Sequence, residues 1–126
     1  MKYLYNIFLL LFLLNTSCNA QTVATNVLDC KAFSEKIKAT PSVQLVDVRT
    51  PGECANGMID GAKNINWNAA DFEAQVLALD KQKPILVYCA KGGRSHAAQA
   101  KLLSMGFKDV YDLKGGYSAW IVEVKK

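Results

Sequence analysis

The sequence predicts an α/β fold in which a mostly parallel sheet is covered by helices on both faces. Short apolar segments alternate along the chain with segments of helical periodicity, an order typical of parallel sheets. The apolar segments are rich in Val, Ile and Leu, as strands buried on both faces are. The chain has 126 residues, 51% of them hydrophobic, which is enough for one core. A single small domain is therefore expected.

The first elements follow from a helix-capping residue and a buried-type strand. Asp29 is a suitable N-cap for a helix that runs to about Ala39, with Phe33 and Ile37 on its apolar side. Residues 43–48 are predicted to form a strand, because their Val and Leu content suits a buried parallel sheet.

The second half of the chain continues the alternation. Residues 71–79 are predicted to form a helix with Phe72, Val76 and Leu79 on one face. The remaining predicted elements are a central strand at 85–89, a helix at 95–105 closed by Gly106, a short strand at 110–113 and a last helix at 117–122. The loop after the central strand then lies at the carboxyl edge of the sheet.

That loop is the strongest functional signal in the sequence. An apolar strand ends at Cys89, and the chain then passes two cations and two glycines before a helix begins. Such geometry directs backbone N–H groups and a helix N-terminus at the cysteine sulfur, which favours the nucleophilic thiolate. An inert buried cysteine is the plainer alternative, and Lys91 and Arg94 argue against it. The loop residues are Ala90, Lys91, Gly92, Gly93, Arg94 and Ser95.

Four segments, in order, resemble the rhodanese family, sulfurtransferases that carry sulfur as a cysteine persulfide. The Cys89 loop is similar to the active-site loop of that family. Leu45–Glu53 resembles its D-x-R-x-x-x-E segment, and Gly57–Ile65 its G-H-I-x-G-A segment. Leu113–Trp120 resembles its G-G-x-x-x-W signature. Together these matches span roughly residues 29–122.

The resemblance implies a three-layer rhodanese-like fold with a mostly parallel five-stranded sheet. It implies that Cys89 is the catalytic nucleophile and receives sulfur from thiosulfate or a related small anion. A thiol or cyanide is then the acceptor, and no metal or organic cofactor is required. Lys91 is expected to attract the donor, Arg94 to brace the loop or share that task, and the loop N–H groups to hold the transferred sulfur. Structural support is expected from Asp47, Arg49 and Glu53.

Two other functions remain open at this point. Cysteine-loop phosphatases and arsenate reductases with rhodanese-like folds place five residues between Cys and Arg, whereas only four separate Cys89 from Arg94 here. The shorter loop suits a single sulfur better than a phosphate. A non-catalytic binding or regulatory module is the other alternative, although such domains often lack the loop cysteine. Three positions depart from the family's pattern. Met58 stands where the family usually has histidine, Cys54 where an aromatic residue is usual, and Ala90 where some members have arginine.

The N-terminus is predicted to be an export signal over residues 1–20. Lys2 precedes an apolar run too short to span a membrane, and small polar residues follow. Cleavage before Cys18 would give a lipoprotein, and cleavage after Ala20 a soluble protein; the lipoprotein is slightly favoured. Residues 21–27 are then a tether and 28–126 the domain. The expected location is the periplasm, with a lipid on Cys18 attaching the protein to a bacterial membrane.

The remaining residues support no further chemistry. The net charge of +4 is mild, so nucleic-acid binding is not expected. Cys30 and Cys54 could form a disulfide or remain separate, and no C-x-x-C pair indicates a zinc site. His96 is expected on a solvated helix face. Trp67 and Trp120 are expected to pack in the core or against a groove.

Overall fold

The computed structural model describes residues 26–124, which form five strands and five helices. In chain order the elements are β1 Asn26–Leu28, α1 Cys30–Ala39, β2 Gln44–Asp47, α2 Pro51–Cys54, β3 Lys63–Asn64, α3 Phe72–Val76, β4 Ile85–Tyr88, α4 Gly93–Ser104, β5 Val110–Leu113 and α5 Gly116–Val124. The predicted alternation of strands and helices is confirmed.

The five strands form one parallel sheet in the order β1-β5-β4-β2-β3. The central strand β4 is buried along its whole length. Its side chains alternate between two cores, because successive residues of a strand point to opposite faces. Val87 and Cys89 belong to the core that includes residues of α3 and α4. Leu86 and Tyr88 belong to the core that includes residues of α1 and α5. The three-layer fold is therefore confirmed.

Parallel pairing brings the carboxyl ends of the strands to one edge of the sheet. Asp47, the last residue of β2, is the register partner of Tyr88, the last residue of β4. Cys89 follows β4 immediately, and Arg49 follows β2 after one residue. The sheet therefore places two of the predicted site segments next to each other.

Element boundaries agree with the sequence where capping or periodicity is strong. Asp29 is the N-cap of α1, and its side chain accepts a hydrogen bond from the Ala32 backbone N–H at 2.8 Å. Helix α4 begins two residues before its predicted start, at Gly93. Helix α3 covers only Phe72–Val76 of the nine residues predicted, and the side chain of its N-cap residue, Asp71, makes no capping hydrogen bond.

Three short elements were not predicted, and one of them corrects the domain boundary. Asn26 and Val27, assigned from the sequence to the tether, pair in β1 with Tyr111 and Asp112 of β5. The sheet therefore begins within the predicted tether. Elements β3 and α2 were also missed, because two to four residues are too few to show a hydrophobic period.

The predictions for the N-terminal segment lie outside the described residues. They concern the export signal, the lipid on Cys18 and the first part of the tether. Within residues 26–124, no helix has the length and apolar character needed to cross a membrane.

Candidate active site

Cys89 lies at the end of β4, where the chain turns into α4. Its side chain is 1% exposed. The Gly92 N–H donates to its Sγ at 3.0 Å, and the Ser95 hydroxyl does so at 3.4 Å. Gly92 has a φ of 116°, a backbone conformation that residues with a side chain rarely adopt. The turn that directs its N–H at the sulfur therefore favours glycine. The strand, loop and helix arrangement predicted around Cys89 is present.

This environment favours the thiolate of Cys89 despite its burial. Burial alone raises the pKa of a thiol, because it removes water from the charged form. Here hydrogen bonds from the Ser95 side chain, and from the backbone N–H groups of Ser95, Gly92 and Lys91, outweigh burial and lower the pKa of Cys89. Ala90 and Gly93 complete the loop, and Gly93 is the first residue of α4. The donors of the loop therefore favour the thiolate form of Cys89.

Helix α5 holds the start of the loop through its own N-terminal backbone. The Tyr117 N–H donates to the Cys89 carbonyl at 2.7 Å, and the Ser118 N–H to the Ala90 carbonyl at 3.0 Å. A Cβ on Gly116 would lie 2.5 Å from the Cys89 carbonyl oxygen, closer than atoms tolerate. Gly115 and Gly116 are the glycines of the G-G-x-x-x-W segment in the sequence. The sequence did not show which part of the chain Gly116 packs against.

Arg94 is engaged by Glu53 and braces the loop. Its two terminal nitrogens donate to the two carboxylate oxygens of Glu53 at 2.6 and 2.9 Å. Glu53 also forms a capping box with Thr50 at the start of α2. The Arg94 hydrogen bond is the main cause that lowers the pKa of Glu53, to about 2. Of the two roles expected for Arg94, the structure therefore favours bracing.

Asp47 and Arg49 form a separate buried ion pair, with 2.6 Å between Arg49 Nη2 and Asp47 Oδ2. Arg49 also donates to the Gly57 carbonyl at 2.7 Å and lies 4.3 Å from the centre of the Tyr117 ring. Burial opposes the charge on Arg49, yet the Asp47 carboxylate raises its pKa. The sequence analysis grouped Asp47, Arg49 and Glu53 as structural supports; the structure places them in two ion pairs, Asp47 with Arg49 and Glu53 with Arg94.

Lys91 is exposed beside the loop and, among the described residues, forms no ion pair. It is therefore free to meet an anion approaching Cys89. His96 is exposed, as expected, and its Nδ1 lies 3.9 Å from Asp112. Trp67 and Trp120 pack edge-on against Phe72 and Phe33, as expected of core or groove residues.

The other two cysteines in the described part of the chain, Cys30 and Cys54, are free thiols whose surroundings disfavour the thiolate. Cys30 and Cys54 do not form the disulfide that the sequence left open. Burial and the neighbouring Asp47 raise the pKa of Cys54 to about 11. Burial, then Glu123 and Asp29, raise the pKa of Cys30. Within residues 26–124, no group of three or more His, Cys, Asp or Glu residues is arranged to hold a metal ion.

Comparison with known proteins gives a consistent answer. Residues 29–123 match the family model of the rhodanese-like domain. A sulfurtransferase of Allochromatium vinosum is 35% identical over 95 residues, which cover 75% of this chain and 87% of that protein. Thiosulfate sulfurtransferase GlpE of Shewanella oneidensis is 46% identical over 80 residues, covering 63% of this chain and 76% of that protein.

A solved structure shows the same architecture. The crystal structure of a rhodanese-like domain protein from Staphylococcus aureus superposes with a TM-score of 0.69 at 29% identity, covering 76% of this chain and 91% of that one. With the family model matched over most of the chain and an activated cysteine in the family's loop, this chain belongs to the rhodanese-like domain family.

Proposed function

We propose that this protein is a sulfurtransferase that moves a sulfane sulfur from thiosulfate or a related donor to a thiol or cyanide, through a persulfide on Cys89. The family match and relatives named sulfurtransferase support the reaction class. The observation that carries the proposal is the hydrogen bonding of Cys89 Sγ, whose pKa is lowered at the N-terminus of α4.

The reaction divides into two displacements at sulfur. The Cys89 thiolate attacks the outer sulfur of thiosulfate, the S–S bond of the donor breaks, and sulfite leaves with the electron pair. The terminal sulfur of the new persulfide is anionic, and the N–H groups of Lys91, Gly92 and Ser95 are the donors available to it. An acceptor thiolate or cyanide then attacks that sulfur, and Cys89 leaves as the thiolate that began the cycle.

The structure adds an argument against phosphate chemistry. An arginine that recognises phosphate presents its planar guanidinium to two of the anion's oxygens. In this protein the Arg94 guanidinium makes that bidentate contact with Glu53. Together with the four-residue loop, this arrangement favours a single sulfur atom in the site, with the outer charge of the donor left to Lys91.

We also propose that the protein is exported and attached to a bacterial membrane through a lipid on Cys18. The short apolar run before Cys18 and the small residues around it support this proposal. Incorporation of a labelled fatty acid into the wild-type protein, but not into the Cys18→Ala variant, is the expected result. Equal labelling, or labelling of neither protein, would contradict the lipid on Cys18.

Steady-state transfer of sulfur from thiosulfate to cyanide tests the proposed reaction. Cys89→Ser should reduce thiocyanate formation to background, because serine is not ionised near neutral pH. Cys30→Ser is the matched control and should retain activity, since Cys30 is not activated. Wild-type protein should also hydrolyse an aryl phosphate far more slowly than it transfers sulfur. Turnover by Cys89→Ser, or robust phosphatase activity, would refute the proposal.

A further inference from the structure

An exposed apolar surface lies at the end of α5, away from the site of the proposed reaction. It consists of Ile121, Val122 and Val124, which together are called the α5 patch. Val122 and Val124 are 57% and 65% exposed. Single exposed apolar residues are common on proteins, whereas a contiguous group indicates a contact surface. Within residues 26–124, the other exposed large hydrophobic residues are Val27 on β1 and Leu77 after α3, which stand apart from each other.

A groove beside the α5 patch extends this apolar surface towards α1. The groove has a volume of about 480 Å³. Its apolar lining includes Ile37, Met58, Trp120, Ile121 and Val124. Because Ile121 and Val124 belong to both the patch and the groove, the two form one continuous surface.

Lysines lie beside this surface on both sides. Lys38 of α1 lines the groove, and Lys31 of α1 lines a second cavity, of about 290 Å³, that also reaches Val124. Neither lysine forms an ion pair with a described residue. Two more lysines follow α5 in the sequence, and the acidic residues beside the surface are fewer. The two sets are Lys125 and Lys126, and Asp60 and Glu123.

This combination of side chains fits the surface of an anionic lipid bilayer. Exposed aliphatic side chains enter the boundary between headgroups and acyl chains, and their burial there is favourable. Lysines next to them are attracted to anionic headgroups. The apolar patch and the adjacent lysines therefore match the two layers of the bilayer that a peripheral protein meets.

The N-terminal segment brings such a bilayer within reach. In the proposed function Cys18 carries a lipid, and seven residues separate it from Asn26, where β1 begins. Even a fully extended segment of that length spans at most about 30 Å, which is about the width of a domain of this size. Only Asp29 separates β1 from α1, so the segment joins the fold beside α1. The domain is therefore held close to the lipid surface.

We propose that the α5 patch and the groove beside it form a membrane-docking surface that inserts into the headgroup boundary of an anionic bilayer. This inference rests on the lipid attachment of the proposed function and not on the sulfur-transfer reaction. Docking by this surface leaves the nucleophile accessible. Trp120 belongs to the core that α1 and α5 cover, whereas Cys89 belongs to the core on the opposite face of the sheet. Donor and acceptor then reach Cys89 from the side of the domain that faces water.

The two tryptophans of the chain are a matched pair of probes for this orientation. Trp120 lines the groove, whereas Trp67 packs against Phe72 on the opposite face. The full chain is bound to vesicles of phosphatidylglycerol and phosphatidylcholine in equal parts, with brominated acyl chains that quench tryptophans in contact with them. Trp67→Phe reports Trp120 alone, and Trp120→Phe reports Trp67 alone. We expect strong quenching of Trp120 and little of Trp67. Equal quenching of the two, or quenching of neither, would overturn the proposal.

Substitutions on the two faces separate docking from a general effect of added charge. In the Trp67→Phe background, Val124→Glu places a carboxylate in the α5 patch. It should shift the equilibrium roughly tenfold towards the undocked domain and remove most of the Trp120 quenching. The matched control is Leu77→Glu, because Leu77 is similarly exposed, at 59%, but lies on the opposite face. The control should leave the quenching unchanged, and equal losses in the two variants would overturn the proposal.

The outcomes distinguish this surface from the lipid attachment itself. Incorporation of a labelled fatty acid without quenching of Trp120 would overturn the docking surface and leave the lipid attachment standing. Quenching of Trp120 in a chain that takes up no fatty acid would support the docking surface and refute the lipid. A dimer that packs the α5 patch against a second copy of the chain would shield Trp120 from the acyl chains. Both tryptophans would then remain unquenched, which would also overturn the proposal.

Discussion

Cys89 and Cys54 have the same thiol group, but their surroundings shift its pKa in opposite directions. Cys89 precedes the N-terminus of the twelve-residue helix α4, whereas Cys54 is the last residue of the four-residue helix α2. Burial disfavours the thiolate at both positions. Hydrogen-bond donors then lower the pKa of Cys89, while the Asp47 carboxylate helps to raise that of Cys54 to about 11. Hydrogen-bond donors near the sulfur, rather than burial, therefore account for the opposite pKa shifts of the two thiols.

The largest effect on Cys89 is expected from a substitution that displaces the loop whose groups donate hydrogen bonds to its sulfur. Gly116→Ala places a Cβ 2.5 Å from the Cys89 carbonyl oxygen, so α5 and the loop must separate. We expect a loss of about 2–4 kcal/mol in the free energy of unfolding and near-complete loss of sulfur transfer. Urea denaturation and steady-state kinetics measure both.

Gly61→Ala is the matched control for this prediction. Gly116 and Gly61 both have a positive φ, 61° and 80°, but a Cβ on Gly61 meets nothing within 4 Å. Its cost should therefore be that of the left-handed conformation alone, about 1–2 kcal/mol, with activity retained. Equal effects of the two substitutions on activity would show that the contact of Gly116 with the loop does not matter.

A second prediction weakens the brace between α2 and the loop. Glu53→Gln removes the charge that holds Arg94, and we expect a loss of about 1 kcal/mol, because this pair is partly exposed. The pKa of Glu53 is lowered from 4.5 to about 2 in the folded protein. Its contribution is therefore present above about pH 4.5 and is lost as the pH falls towards 2.

Thermal unfolding of wild type and Glu53→Gln across that pH range checks the sign. The difference between the two proteins should shrink as the solution is acidified. Glu73→Gln, which breaks a more exposed pair with Lys101, is the control and should have a smaller effect. A difference between wild type and Glu53→Gln that is constant with pH would contradict the assignment of the low pKa to Glu53.

A third prediction changes the approach to Cys89 without changing its donors. Lys91→Ala should raise the KM for thiosulfate severalfold and alter kcat less, because the exposed lysine meets the anion before the reaction. The effect should diminish with added salt, since exposed charges are screened over about 8–10 Å at ordinary ionic strength. An unchanged KM at low and high salt would leave recognition to the loop backbone.

The smallest effect is expected at the other cysteine. Cys54→Ser should leave sulfur transfer within about twofold of wild type, because a thiol with a pKa of about 11 is protonated at neutral pH. Steady-state kinetics measure this directly. A large loss of activity in this variant would show that both regions contribute a reactive sulfur and would remove the contrast between them.

The sequence predicts the features of the fold and site that depend on local pattern. The Asp29 cap, the buried strand before Cys89 and the loop glycines all follow from residue type and spacing. The short strands β1 and β3 could not be predicted, because their stability comes from pairing rather than from a period. Helix α2 has a signal in the sequence that was missed, the capping box from Thr50 to Glu53 with Pro51 at the first helical position. Gly92 could be interpreted from the sequence alone, since a tight turn before a helix needs its conformation.

The pairings between distant segments were beyond the sequence. The Glu53–Arg94 bridge joins residues 41 positions apart, and the sequence grouped Glu53 with Asp47 and Arg49 instead. The approach of Gly116 to Cys89 depends on how α5 packs against the sheet. Such contacts become visible only when the fold brings the segments together.

The most direct test of the contrast between the two cysteines is to see which sulfur receives the transferred atom. The full chain is incubated with thiosulfate, freed of excess reagent, digested without reductant and analysed by mass spectrometry. One added sulfur is expected on the peptide that carries Cys89, and none on the peptides that carry Cys30 and Cys54. An unmodified Cys89 peptide, or sulfur added at Cys54, would contradict it.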